Sequence, residues 1–476
     1  MIDVKDALKA VLEHTPLLPS ETIPLNKALH SVLAETITAH DDIPLFDSSA
    51  MDGYGVKVDD IEFASDKEPV ALKIVGVVRA GQVYEKPIEH GTAVKIFTGA
   101  MVPEGVEAVL IKENASEIDG KVLAKSPVKT GENIRRRGEE FLRGDEALSP
   151  GVLITPPVIG LLAGLGYAKV RVYRKPKVAV VITGDELVDP ENPLKEGKIR
   201  DVNSFTLQAA LEELGVEIVS LKRAPDSPEK LLETVHQSLQ SADVLIISGG
   251  VSVGDFDFVR EVSENAGIKK VFWKVAIKPG KPTFFGTKGA NPNGRLRLTA
   301  KTNGRLRLTA KTNGRLRLTA KTNGRLRLTA KTNGRLRLTA KTNGRLRLTA
   351  KTNGRLRLTE KLVFGLPGNP ASVLVTFYLF VRPALLHMMG RKETQLTSLP
   401  ALTESDIQKK NGRAEYLRGK IQSQNGTVSV EFHGEQHSHM LSSFANADCL
   451  AVFPKEQTCI AKGGKVQIQL LPWVAL

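Results

Sequence analysis

The stretch SGGVSVGDFDFV, Ser248 to Val259, sets Gly249, Gly250 and Gly254 beside the carboxylates of Asp255 and Asp257, directly after the apolar run Val244-Leu245-Ile246-Ile247. Glycine lets a backbone pass close to a ligand and aim its N–H groups at it, whereas carboxylates repel an anion unless a cation sits between them. The pair of features points to an anionic ligand held with a divalent metal. Two other loops carry acids directly after apolar runs: Thr183-Gly184-Asp185-Glu186 and Ala224-Pro225-Asp226. IKPGKP, Ile277 to Pro282, presents Lys278 and Lys281 on a chain stiffened by Pro279 and Pro282. GLPGNPAS, Gly365 to Ser372, precedes a long apolar helix, so Ser372 and the nearby N–H groups stand at a helix N-terminus suited to an oxyanion. Taken singly, each motif also has an ordinary structural reading as a tight turn, a solvated lysine pair or a helix cap.

The elements that must position these residues follow from apolar periodicity. Beyond Pro176 the chain alternates strand and helix: VAVVI (178–182), a helix with apolar face Leu207, Ala210, Leu211 and Leu214, strand VEIVSL (216–221), a helix opened by Ser227-Pro228, VLII (244–247), another helix ending near Gly267, and VFWKV (271–275). Asn203 or Ser204 can cap the first of these helices, and Gly215 ends it. Such alternation implies a parallel sheet covered on both faces, with ligands at the carboxyl ends of its strands. Because three acidic loops leave one edge, Glu186, Asp226 and Asp257 are expected to converge on a hard-cation site. The first 45 residues read as helical and then extended. Residues 69–128 read as short β runs, and 392–476 as β-rich with a turn at Asn425-Gly426. The expected class is therefore an α/β multidomain protein: a central parallel-sheet domain, an N-terminal helical and extended segment, a small β-rich domain and a C-terminal β-barrel-like domain.

The formal charge of +15 resembles that of a nucleic-acid or anionic-surface binder until it is located. From Asn293 the decapeptide NGRLRLTAKT recurs in tandem, and residues 293–359 hold fourteen Arg, six Lys and no acid, which leaves the rest of the chain mildly acidic. Alternation within each copy is strand-like and Asn-Gly can turn every ten residues, but the apolar surface per copy is small and the cations repel, so a marginally ordered protrusion is expected. Cys449 and Cys459 are too few for a disulfide framework and fit a reducing compartment. The N-terminus carries early acids and no secretory apolar core, and the uncharged run from Leu148 to Ala168 is broken by prolines and glycines; a cytoplasmic protein with a short buried helix after Pro157 is expected, with no membrane association.

In combination, SAMDGYGV (49–56), KIFTGAMVPEG (95–105), NIRRRGEE (133–140), ITGDEL (182–187), SGGVSVGDFDF, WKVAIKPGKP (273–282) and GLPGNPAS closely resemble the MoeA family of molybdopterin molybdenumtransferases, to which the E domain of gephyrin is related. The resemblance spans nearly the whole chain except the repeat. It implies a cytoplasmic homodimer that inserts molybdate into adenylylated molybdopterin, releasing AMP and forming molybdenum cofactor with Mg2+ assisting. A molybdopterin adenylyltransferase is the upstream partner this implies. It also implies four parts: residues 1–45 with 135–176 as an elongated dimerisation domain, 46–134 as the β-rich domain, 177–391 as the molybdopterin-binding domain interrupted by 293–359, and 392–476 as the C-terminal β domain. Carried over by position, the catalytic residues fall on Asp52, Glu140, Glu186, Asp226, Asp257 and Lys274, with Glu186, Asp226 and Asp257 as metal ligands. Ligand-binding positions fall on Thr98, Gly249, Gly250, Ser252, Gly254, Lys278, Lys281, Ser372, Arg418, Ser442 and Ser443. Glu140 stands where the family usually has Asp, which lengthens the acidic arm by one methylene. A metal-activated water and a molybdate oxygen both remain open as the nucleophile.

Three residue groups invite other readings. Arg135, Arg136 and Arg137 could grip phosphate, but ion pairing with domain acids is the expectation. His433, His437 and His439 do not face one way on an alternating segment, so a structural or solvated role is expected. The Arg-rich repeat could make the chain a nucleic-acid or anionic-surface binding module, and a pterin carrier without turnover is a further alternative; the full set of carboxylates favours the enzyme.

Overall fold

The computed structural model describes residues 1–250, 258–289, 296–302, 306–312, 316–322, 326–332, 336–342, 346–352, 360–409, 412–424, 426–432 and 435–474. The chain divides into two compact units, Met1–Glu21 with Tyr173–Leu476, and Thr22–Val172.

The larger unit is built on a six-stranded sheet. Its strands are β1 (Lys177–Thr183), β2 (Glu217–Ala224), β3 (Val244–Ser248), β4 (Lys269–Trp273), β5 (Phe284–Lys288) and β6 (Lys361–Leu366), in the order β2-β1-β3-β6-β5-β4. The first four in that order are parallel, and β5 and β4 close one side antiparallel. The registers Val180 to Ile246 and Ile246 to Phe364 run through its centre. β1 and β3 are continuous apolar runs because both of their faces are covered. Val178, Val180 and Ile182 enter one core with Leu207 and Leu211, while Ala179 and Val181 enter another with Leu231 and Val235. Each such side chain contributes roughly 1.5–3 kcal/mol by leaving water, so a one-residue slip would forfeit both cores.

The covering helices are α1 (Asn203–Glu213), α2 (Pro228–Ser241), α3 (Phe258–Asn265), α4 (Pro370–Thr376) and α5 (Arg382–Met388). Ser227 caps α2 through its hydroxyl and Pro228 opens it. The expected cap of α1 is different in the structure. Asp201 accepts the Ser204 N–H at 3.0 Å, which frees the Asn203 side chain for other work. α4 and α5 join through a π-helical turn at Phe377–Val381. Pro370–Met388 is, among the described residues, the one helical run long and apolar enough to cross a membrane, and it is 89% buried in the core.

The decapeptide array enters between β5 and β6, adjacent antiparallel strands in which Lys288 faces Lys361. It joins the amino-terminal end of β6, the edge of the sheet opposite the carboxyl ends where the loops gather. A loop between neighbouring antiparallel strands can lengthen at a cost that grows only logarithmically, so the sheet tolerates the insertion. Strands of alternate copies pair in parallel, Leu296 with Leu316 and Leu306 with Leu326, giving two three-stranded sheets in place of the hairpins that Asn-Gly turns would make.

In the C-terminal part, strands 398–403, 414–424, 427–431, 449–453 and 465–470 close into a five-stranded barrel, since 414–424 pairs with both 427–431 and 449–453. Gln424 pairs with Thr427 across the expected hairpin. The N-terminal helix Val4–His14 buries Ala7 and Val11 in the core of this unit.

The second unit holds a six-stranded mixed sheet of 53–56, 70–78, 92–96, 108–111, 115–118 and 121–124. It also contains a helix, Pro156–Gly164, that opens on the double proline and buries Leu162 alone of its residues, in place of the buried helix expected after Pro157.

Candidate functional site

At the carboxyl ends of the parallel strands lies a cavity of about 1110 Å³. Its wall contains Asp185 and Glu186 after β1, Asp226 after β2, Gly249 and Gly250 after β3, and Gly368, Asn369 and Pro370 after β6. The acids after the first two strands, Asp185 and Asp226, 41 residues apart in the chain, are thus neighbours in space. Asp185 and Asp226 bind one another's backbone: the Asp185 N–H donates to Asp226 Oδ2 and the Asp226 N–H to Asp185 Oδ1, each at 3.3 Å. Glu186 folds back over Gly184, where a Cβ would lie 2.8 Å from Glu186 Oε2.

The glycines are required by close approach. Gly249 has φ +93, and a Cβ there would meet the Thr183 carbonyl oxygen at 2.5 Å. Only glycine adopts that conformation freely in so little room. Asn203 ties two loops together by donating through Nδ2 to Ser248 Oγ at 3.2 Å and to the Gly368 carbonyl at 2.6 Å, while Ser248 Oγ donates to the Pro367 carbonyl at 3.1 Å. Among the described residues, Asn203 Oδ1 and Thr183 Oγ1 are buried in this wall without a hydrogen-bond partner. Buried polar atoms of that kind ask for a ligand or water.

Sequence reasoning passed over several members of this wall. Lys198 donates from Nζ to the Asp185 carbonyl at 2.7 Å, and Asp201, buried, accepts from Arg223 Nε at 2.9 Å. His439 enters the same wall from the C-terminal part. Asp185 had a signal, its place in the TGDE loop; Lys198 and His439 had none in local spacing. Ser252, Gly254 and Asp257 lie outside the described residues. No cluster of three or more His, Cys, Asp or Glu able to hold a metal occurs among the described residues. The acids lining the cavity, Asp185, Glu186 and Asp226, are oxygen donors of the kind a hard cation takes, but among the described residues they are not drawn together as a ligand set.

A second, smaller cavity of about 240 Å³ is lined by Arg418, Gly419, Lys420, Glu435, Ser442, Ser443 and neighbours. Arg418 is 2% exposed. Its Nε donates to Ser443 Oγ at 3.0 Å and its Nη2 to the His437 carbonyl at 3.1 Å, while Nη1 has no partner among the described residues. Burial pushes its pKa down to about 10, so the guanidinium remains charged at neutral pH; Glu435 lines the same cavity, but the hydrogen bonds Arg418 donates from its guanidinium go to a hydroxyl and a carbonyl. A buried cation with only neutral acceptors favours an incoming anion.

The remaining expected residues are placed as follows. Lys278 is already engaged, 3.3 Å from Glu415 Oε1. Lys281 is half-buried on the same turn, and Ser372 is buried in the first turn of α4. Lys274 adopts φ +68 and lays its ammonium 4.0 Å from the Trp273 ring centroid. In the second unit, Thr98 donates to Asp52 Oδ1 from both N and Oγ1 at 2.8 Å, and these bonds, the backbone one first, hold the Asp52 carboxyl below its usual range. Glu140 is exposed there. Arg136 and Arg137 pair with Asp47 and Asp42 at 2.6 Å.

Comparison with known proteins agrees along the whole chain. Residues 2–166 match the MoeA N-terminal region (domain I and II), 179–387 the probable molybdopterin binding domain, and 400–471 the MoeA C-terminal region (domain IV). The chain is 32% identical to the molybdopterin molybdenumtransferase of Haemophilus influenzae, covering 98% of each, and 30% identical to that of Bacillus subtilis, covering 100% of this chain and 97% of the relative. A crystal structure of the molybdopterin biosynthesis moeA protein from Pyrococcus horikoshii superposes with a TM-score of 0.72 at 27% identity, covering 99% of this chain and all of that one.

Proposed function

The chain belongs to the molybdopterin molybdenumtransferase family, and on that premise we propose how its residues insert molybdate into adenylylated molybdopterin with release of AMP in molybdenum cofactor biosynthesis. The observation that carries the reading is the meeting of Glu186 and Asp226 with the glycine loop and the start of α4 in one cavity at the carboxyl edge of the sheet. Glu186, Asp226 and Asp257 hold Mg2+, assisted by Asp185. Once bound, the ion supplies charge neutralisation at the phosphate linkage between pterin and AMP. Gly249 and Gly250 let the backbone approach that linkage, and Ser252 and Gly254 are assigned to the same ligand. Asn203 Oδ1 and Thr183 Oγ1 offer buried polar atoms to the same ligand.

Molybdate, the second substrate, is captured by Arg418 through its unpartnered Nη1, with Ser442 and Ser443 beside it and Lys281 and Ser372 as further donors. Lys278 joins this set by exchanging Glu415 for the oxyanion. In the second unit, Asp52 with Thr98, and Glu140, are assigned to the substrate as acidic and hydroxyl groups, and Lys274 contributes a cation. The four-part division given by the sequence, a homodimeric cytoplasmic enzyme and supply of substrate by a molybdopterin adenylyltransferase complete the reading. AMP release from adenylylated molybdopterin tests it. Release should require both molybdate and magnesium, and release independent of molybdate would refute it.

A further inference from the structure

Two of the histidines set aside in the sequence, His437 and His439, occupy a position in the fold that the reaction scheme leaves unused; His433 lies outside the described residues. Among the described residues, every other one lining the large cavity falls between Thr183 and Pro370, and His439 alone reaches it from the C-terminal part. Its ring stacks on that of His437, with centroids 5.7 Å apart and planes 7° from parallel, and His437 Nε2 lies 3.1 Å from Glu435 Oε2. Glu435 lines the small cavity.

The backbone between them is fixed from both sides. The Ala371 N–H donates to the Ser438 carbonyl at 3.1 Å, and Asn369 Nδ2 donates to Ser438 Oγ at 2.8 Å, which ties the segment to the loop opening α4. Arg418 donates from Nη2 to the His437 carbonyl and from Nε to Ser443, and its backbone N–H donates to Gln436 Oε1 at 2.9 Å. One short segment, 435–443, therefore borders both cavities. It presents an imidazole to the one and, to the other, the His437 carbonyl and Ser443 hydroxyl that accept from Arg418, together with the Glu435 carboxylate.

We propose that His439 is a further substrate-contacting residue, donating an imidazole N–H to a phosphate oxygen of the nucleotide half from the side of the loop that opens α4. The chemistry suits such a donor, because a phosphate held on one side through a cation on Glu186 and Asp226 keeps its other oxygens free to accept hydrogen bonds. Ser438 positions it through its bonds to Asn369 and Ala371. The inference rests on reading the large cavity as the nucleotide site.

Calorimetry on the full-length protein in magnesium, with AMP and molybdate as separate probes, tests both levels. His439→Ala should weaken AMP binding about tenfold, the loss of one hydrogen bond to a charged group, and leave molybdate binding unchanged; His439→Gln, which restores an N–H donor, should recover part of the loss. Unchanged AMP affinity in His439→Ala would overturn the assignment, as would a parallel loss of AMP and molybdate binding, which would mark the residue as structural. Failure of the unsubstituted protein to bind AMP would instead overturn the nucleotide reading itself.

Discussion

Two cavities of the larger unit, the one at the sheet edge and the one beside Arg418, are built on opposite electrostatic plans. The large one gathers carboxylates from separate loops at a sheet edge, with partly exposed side chains and an arrangement that needs a cation to accept an anionic ligand. The small one buries the Arg418 guanidinium with neutral acceptors on two of its nitrogens and, among the described residues, leaves the third open. The contrast teaches that one substrate can be held through a bridging metal while the other is held directly. Anion capture by Arg418 should thus be indifferent to magnesium, whereas nucleotide capture should depend on it.

The sharpest way to break this contrast is to neutralise one plan at a time. Replacing Glu186 by Gln together with Asp226 by Asn should lower molybdate-dependent AMP release by about a thousandfold, since several kcal/mol of charge stabilisation is lost, with molybdate affinity retained in calorimetry. The reciprocal change, Arg418→Met, should weaken molybdate binding about a hundredfold, the loss of charge-assisted hydrogen bonds, with AMP affinity retained. If either variant lost both ligands equally, the two cavities would be one electrostatic unit.

Gly249→Ala acts on the large cavity through the backbone. With φ +93 and the Thr183 carbonyl 2.5 Å from a new Cβ, it should lower stability by about 2 kcal/mol or more, read as a lower urea midpoint. The small cavity should still bind molybdate in native conditions. The smallest effect is expected from deleting residues 293–352. The array joins the sheet edge opposite the large cavity, so AMP release should stay within about twofold, as for changes at distant independent sites. A steep loss of activity would give the array a role that its attachment point does not.

The sequence made much of the fold legible for a physical reason. Apolar runs such as Val178–Ile182 and Val244–Ile247 can be satisfied only by strands covered on both faces, and the helices between them force parallel pairing. The antiparallel closure by β4 and β5 was not visible, because a short apolar run carries no direction. Nor was the pairing of alternate decapeptides, because identical copies offer equally good partners at ten or twenty residues.

At the site, the order of strands was enough to bring the loops of Glu186 and Asp226 to one edge, and the glycines advertised a close approach. What the sequence alone determined is thus the set of loops and their chemistry, fixed by apolar periodicity and by residue types that have few other uses. What only the tertiary structure decided is which side chains face the same space. Asp201 took the cap and released Asn203 to bridge two loops, Glu415 claimed Lys278, and Arg418 was buried with one nitrogen left open. It also carried His439 to a cavity whose other walls lie more than sixty residues away in the chain. These are outcomes of packing and burial between distant segments, which no local spacing encodes.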